Sequence, residues 1–176
     1  SLRILHVHPG NLFGGVETLL VTLAREQSLV PALQHQFVLC VEGRLSEELI
    51  GAGVPVHFLG ETRARSPVQV WAARARLERI LRAADADVLV CHSTWVQALF
   101  GSVLRASGAK LVFWLHMGLE TTAVPELWSH WMARLTRPDF AICASQFIRG
   151  TLGNLYPNLA AEVLYKRLQF IEAVVA

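Results

Sequence analysis

Short apolar runs alternate with longer amphipathic segments along almost the whole chain, a rhythm that few folds accommodate. Arg3-Ile-Leu-His-Val-His8 opens it. A strand with one wet face alternates apolar and polar residues. This run hardly does, so it reads as a parallel strand covered on both sides. Gly14-Gly15 supplies a turn, and Val16, Leu19, Leu20 and Leu23 follow at the i, i+3, i+4, i+7 spacing of a helix. Gln36 to Val41 forms a second strand, and Ser46 is placed to cap a short helix through Glu47, Glu48, Leu49 and Ile50, closed by Gly51 and Gly53. Val54 to Leu59 is a third strand that tolerates Pro55 near its start. Val70, Ala73, Leu77, Ile80, Leu81 and Ala84 trace one helical stripe before a fourth strand, Asp87 to Cys91. Trp95, Ala98, Leu99 and Val103 face inward from the next helix, and Lys110 to Leu115 is the fifth strand. Pro125 suits the first turn of a helix running to about Leu135. A sixth strand at Phe140 to Cys143, a helix from about Gln146 to Leu155 and a seventh strand at Glu162 to Tyr165 complete the pattern.

Strand and helix in strict alternation require crossover connections, and right-handed crossovers lead to one architecture. The expectation is an α/β fold: a doubly wound, mostly parallel, seven-stranded Rossmann-like sheet with helices on both faces. At 176 residues and 53% hydrophobic, the chain can bury the core of one domain, expected at residues 1–165. Residues 166–176 read equally as a helix or a strand.

Sixteen basic and fourteen acidic side chains leave a net charge of +2, too small to draw a phosphate backbone, so no nucleic-acid partner is expected. Cys40, Cys91 and Cys143 sit in apolar stretches without C-x-x-C or ligand spacing, and buried reduced thiols are expected, as in a cytoplasmic protein. The amino terminus opens as a strand rather than an export signal, and no apolar run reaches the ~20 residues of a membrane span.

In a doubly wound sheet, ligands bind beyond the carboxyl ends of the strands. Those ends carry His8-Pro-Gly-Asn-Leu-Phe-Gly-Gly15, His92-Ser-Thr94, His116-Met-Gly118 and Ser145-Gln146. Gly14 and Gly15, lacking side chains at a helix start, let a phosphate or sugar hydroxyl approach backbone N–H groups where the helix dipole favours negative charge. A tight turn without a ligand explains the same dipeptide equally well. The spacing is neither G-x-G-x-x-G nor a Walker loop. Glu17 in the first turn is stabilised by that dipole with or without a ligand. His116 lies at the sheet mouth as a base, a hydrogen-bond donor or a structural group, and His92 with Ser93 stays open in the same way. His6, inside the first strand, reads as a satisfied core group. No Ser-His-Asp order and no paired carboxylates near these loops are found, against a serine hydrolase or a glycosidase.

Arg63, Arg65, Arg74, Arg76, Arg79 and Arg82 with Trp71 make one segment basic. It reads either as a solvated helix face with a Glu78 to Arg82 pair, or as peripheral contact with an anionic membrane or a charged acceptor.

Several of these segments together resemble a known family. Arg3-Ile-Leu-His-Val-His-Pro-Gly10, then Gly14-Gly-Val-Glu-Thr18 leading into Leu19-Leu-Val-Thr-Leu-Ala24, look like the start of family 4 glycosyltransferases of the GT-B architecture. The order of Ser46 to Val56, Ala86 to Ser93, Phe113 to Gly118 and Ile142 to Gln146 agrees. The resemblance covers about Arg3 to Tyr165. It implies the amino-terminal, acceptor-side half of a hexosyltransferase-type enzyme that moves a sugar from a nucleotide-sugar co-substrate to a glycan, lipid or small-molecule acceptor. No further cofactor and no metal are implied. By the resemblance, Gly14 and Gly15 lie near the donor phosphates and His116 lines the reaction centre. Ser145 stands at the cleft edge, and His92 and Ser93 are placed by position. The family's donor-binding domain, with its basic pair and E-x7-E segment, has no counterpart before Ala176. This chain alone is therefore expected to transfer no sugar and to self-associate through its uncovered cleft face. The rivals are a non-catalytic Rossmann-like binding or regulatory module, and a small nucleotide-binding α/β protein unrelated to sugar transfer.

Overall fold

The computed structural model describes residues 1–119 and 124–164. Seven strands, β1 (Leu2–His8), β2 (Leu33–Leu39), β3 (Val56–Phe58), β4 (Val88–Cys91), β5 (Lys110–Leu115), β6 (Phe140–Cys143) and β7 (Ala161–Val163), form one sheet in the order β3-β2-β1-β4-β5-β6-β7. Every pairing is parallel. The order reverses direction at β1 and β4, the switch point of a doubly wound sheet. The helices are α1 (Gly15–Arg25), α2 (Arg44–Gly51), α3 (Pro67–Ala84), α4 (Thr94–Ala106), α5 (Val124–Arg134) and α6 (Gln146–Thr151).

Two apolar layers follow from strand alternation. Phe37 and Leu39 of β2 pack with Leu20, Val21 and Ala24 of α1 and Leu45 and Leu49 of α2 on one face. Leu5 and Val7 of β1, Val38, Leu89, Cys91, Leu111 and Phe113 face the other side, where Ala73, Leu77, Phe100 and Leu104 of α3 and α4 cover them. Trp95 is half-buried, whereas Ala98, Leu99 and Val103 are buried, as the stripe of α4 required.

Some boundaries move. β2 begins at Leu33, three residues before the expected Gln36, because the parallel ladder with β1 already pairs Leu2 with Leu33. β3 shortens to three residues that start after Pro55, whose ring removes an N–H. Ser46 does not cap α2. The helix starts earlier, with Gly43 as its cap, and the Ser46 hydroxyl donates back to the Gly43 carbonyl at 2.7 Å while accepting its N–H at 2.9 Å. The last helix ends at Thr151 and continues as a tight turn over Leu152–Asn154. Tyr165 and the tail 166–176 lie outside the described residues. The expected pair between Glu78 and Arg82 is not among the ion pairs; Arg76 instead donates to the Leu59 carbonyl at 2.6 Å, and Arg63 pairs with Glu61 at 2.6 Å.

Cys40, Cys91 and Cys143 are free and buried. Burial pushes the Cys40 thiol up to about 12 and raises Cys91 and Cys143 as well, so all three are protonated, inert groups at neutral pH.

Candidate functional site

The loop after β1 is fastened before it turns toward α1. The Pro9 carbonyl accepts the N–H groups of Cys40 at 3.1 Å and Val41 at 3.3 Å, tying it to the end of β2. Gly10 sits at φ +84°, and a Cβ there would lie 2.8 Å from the Val41 carbonyl oxygen. Both facts demand glycine.

The Gly10 N–H donates to His8 Nδ1 at 3.0 Å. With Nδ1 accepting, a neutral His8 carries its hydrogen on Nε2, which faces Glu17 Oε1 at 3.2 Å. The other carboxylate oxygen of Glu17 accepts the Gly14 N–H at 2.7 Å. Glu17 is only 7% exposed, and each of its oxygens is engaged by the protein itself. It therefore holds the glycine turn against β1. Gly14 caps α1, and a Cβ on Gly15 would meet nothing within 4 Å. Gly15 is exposed at the positive end of an eleven-residue helix.

From His8 the site continues sideways across the sheet. The His8 ring meets His92 edge-on at 6.2 Å, and His92 Nδ1 is hydrogen-bonded to His116 Nε2 at 2.9 Å with the rings stacked. Trp114 stacks on His116 at 5.4 Å and leans on His92 at 5.5 Å. Contacts therefore run from Gly14 through Glu17, His8 and His92 to His116 along one rim.

Ser93 and Ser145 are helix caps. Ser93 Oγ accepts the Val96 N–H at 3.1 Å and Ser145 Oγ accepts the Ile148 N–H at 3.2 Å, starting α4 and α6. Both stand at the same carboxyl edge, beside the ends of β4 and β6. The segment after His116 is pinned by α6 and the turn beyond it. Thr151 Oγ1 accepts the Leu119 N–H at 3.0 Å, and Asn154 donates to the Leu119 carbonyl at 3.2 Å. Gly118 permits this approach: a Cβ there would stand 3.3 Å from the Phe147 ring.

Sequence reasoning missed His35 and Trp114, and it read His6 as an ordinary core group. His6 is buried, but its partners are histidines: Nε2 bonds His35 Nδ1 at 2.9 Å and Nδ1 bonds His92 Nε2 at 2.8 Å. The signal for His35 lies in alternation, since it stands two residues before Phe37 and so shares its face. Burial drives His6 down to about 3 and lowers His8 and His35 from the usual histidine range, so these imidazoles are neutral at pH 7.

The cluster does not suit a metal. Neighbouring nitrogens sit 2.8–2.9 Å apart, each facing the next. Two nitrogens on one zinc ion, at ligand distances of ~2.0–2.1 Å, would be about 3.3 Å apart and would face the ion. Among the described residues no group of three or more His, Cys, Asp or Glu is arranged to hold a metal ion.

Comparison with known proteins agrees with the fold. The family model described as Glycosyltransferase Family 4 matches residues 13–165. No curated protein sequence matches the chain significantly. Among solved structures, Anabaena Alr3699/HepE in complex with UDP and glucose is similar with a TM-score of 0.68 and 18% identity, over 94% of this chain and 44% of that one. The lipopolysaccharide outer core galactosyltransferase WaaB, in its apo form, gives a TM-score of 0.71 and 13% identity over 93% of this chain and 45% of its own. A UDP-N-acetylglucosamine 2-epimerase gives 0.64 and 14% over 93% and 48%. Identities this low establish a common fold and no more, and the chain spans less than half the length of each of these structures.

Proposed function

The chain belongs to glycosyltransferase family 4, and from that premise we propose that it is the acceptor-side half of an enzyme transferring a sugar from a nucleotide-sugar donor to a glycan, lipid or small-molecule acceptor. One observation carries the reading: the open glycine turn and His116 are joined along a single rim through Glu17, His8 and His92. The exposed glycine turn at the positive end of α1 suits the negative donor phosphates. His116, beside the transferred sugar, donates a hydrogen bond or accepts a proton. Glu17 acts by positioning the turn. Ser93 and Ser145, whose oxygens accept from the backbone, keep a hydroxyl hydrogen to offer to a sugar oxygen.

The departing nucleoside diphosphate needs concentrated positive charge, usually a dominant catalytic contribution. The histidines of the rim described above are held neutral or hydrogen-bonded to one another, and near the glycine turn Arg44 lies over the Phe13 ring at 4.1 Å. One guanidinium is little against a diphosphate. The donor-binding half is therefore the proposed source of the remaining charge, and the isolated chain is proposed to be inactive.

The work of such an enzyme is glycan assembly in the cytoplasm, in peripheral contact with a membrane through the segment from Arg63 to Arg82. No described helix is long and apolar enough to cross a membrane. Val68 and Trp71, 76% and 73% exposed on α3 next to Arg63 and Arg65, supply the apolar and cationic groups such a contact needs.

The test compares nucleotide-sugar turnover by this chain alone and joined to a donor-binding domain of the family. Only the joined protein should turn over, and His116→Ala should lower its kcat by about 100-fold or more, the usual cost of a lost transition-state donor. Turnover by the chain alone would overturn the half-enzyme assignment. Turnover indifferent to His116→Ala would remove His116 from the reaction centre.

A further inference from the structure

Four histidines from four neighbouring strands form one hydrogen-bonded row. His35 precedes Phe37 in β2, His6 is in β1, His92 follows β4 and His116 follows β5. Strand register explains how they meet. His35 stands opposite Ile4, so His6 is one side-chain level further along the same face. His6 stands opposite Val90, so His92 is again one level on. Cys91 stands opposite Phe113, which sets His92 level with Trp114 and His116 one level beyond. The row climbs diagonally, one level per strand, toward the rim.

Its polarity is uniform. His35 Nδ1 meets His6 Nε2 at 2.9 Å, His6 Nδ1 meets His92 Nε2 at 2.8 Å, and His92 Nδ1 meets His116 Nε2 at 2.9 Å. Successive rings stack with centroids 5.2, 5.1 and 5.3 Å apart. A neutral imidazole has one N–H and one lone pair. Head-to-tail contacts therefore permit two arrangements of a neutral row: all hydrogens on Nδ1, or all on Nε2. Any mixture sets two N–H groups, or two lone pairs, against each other below 3 Å.

We propose that the four imidazoles act as one tautomeric unit, in which His35, His6 and His92 are positioning residues that set the tautomer of His116. Converting one arrangement into the other moves one hydrogen across each of the three contacts, with one gained at His116 Nδ1 and one lost at His35 Nε2, so the four rings change tautomer together and the row stays neutral.

The surroundings favour neutral rings over an ionised one. Phe37 stacks on His6 at 4.9 Å, and Trp114 walls His92 and His116. His6, His35 and His92 are each less than a tenth exposed. Among the described residues, Glu17 is engaged by His8 and Gly14. Neutral histidine at His6 and His35 is also the form that burial favours.

Use of the row in sugar transfer rests on the function proposed above; the tautomeric coupling does not, and it is read from the chain without any turnover. Histidine-selective 15N labelling of the whole chain reports the protonated nitrogen of each ring and the scalar coupling across each N–H···N bond. Three cross-bond couplings and one common tautomer for His35, His6, His92 and His116 are expected. Opposite tautomers in any adjacent pair, or no coupling across the His6 bonds, would overturn the proposal. In His35→Phe, which deletes the far end, the proportion of the two tautomers at His116 should shift several-fold although His116 lies three rings away. An unchanged His116 ratio with the backbone amide spectrum otherwise preserved would also overturn it. Should His35→Phe fail to fold, His35→Asn carries the same reading.

Discussion

Neutral histidine is the unusual commodity of this protein, and Glu17 shows how narrowly its proton is placed. Because Gly10 donates to His8 Nδ1, His8 must offer Nε2–H to Glu17. Glu17→Gln keeps an acceptor for the Gly14 N–H but turns an amide N–H toward that same Nε2–H. Two donors then face each other in a site with almost no solvent, and the variant should lose about 1–3 kcal/mol in urea denaturation. A loss no larger than that of a surface substitution would show that the carboxylate is dispensable to the turn. The buried rings also set a pH dependence. His6 falls from 6.5 to about 3 on folding, and His8 and His35 move the same way, so the unfolded chain takes up protons that the folded chain refuses. Their contribution is complete above about pH 6.5 and declines as acidity increases, toward pH 3 for His6. Each histidine charged only in the unfolded chain costs about 1.4 kcal/mol per pH unit within that window. The urea midpoint should be lower at pH 5 than at pH 7, while Asp87 and Asp139, held below the usual carboxylate range by Arg3 and by the Leu111 N–H with Arg105, act only at lower pH. Equal midpoints would mean that the rings are charged inside the fold.

Among the elements, the turn from β1 into α1 is the most constrained. Its backbone is tied to β2 through Pro9, and Gly10 occupies a left-handed conformation against the Val41 carbonyl. Gly10→Ala should lose about 1–2 kcal/mol from the backbone region alone, with more from the close approach. Gly15→Ala, facing open space at a helical position, should be tolerated in stability. Thermal denaturation separates the two, and equal effects would mean that the glycine at position 10 is not required by its geometry. The contrast also distinguishes the glycine that shapes the loop from the one that faces open space.

Taken whole, the molecule leaves large apolar side chains uncovered at one end: Leu12, Met117 and Phe147, each more than 70% exposed, lie on segments at the carboxyl edge of the sheet. Trp71 and Val68 are exposed elsewhere, on the outside of α3. If that face meets an anionic membrane, the chain should sediment with vesicles containing acidic lipid and much less with neutral ones, and Trp71→Ser should weaken the association. Equal sedimentation of wild type and variant would place the contact elsewhere or dismiss it.

Much of this architecture was legible in the linear order of residues, because it depends on local periodicity. Runs with little polar alternation marked β1, β4, β5 and β6, a four-residue stripe marked α1, and their alternation left only a parallel sheet with its carboxyl strand ends along one edge. The positions of Gly14, His92, His116 and Ser145 followed from that edge. The histidine row was not legible. Whether His6 meets His35 and His92 depends on register between strands separated by 29 and 86 residues, and a shift of one residue would turn those rings to opposite faces. Local sequence encodes which side chains share a strand face. Only long-range packing, which slides parallel strands until both apolar layers are filled, decides which of those side chains touch.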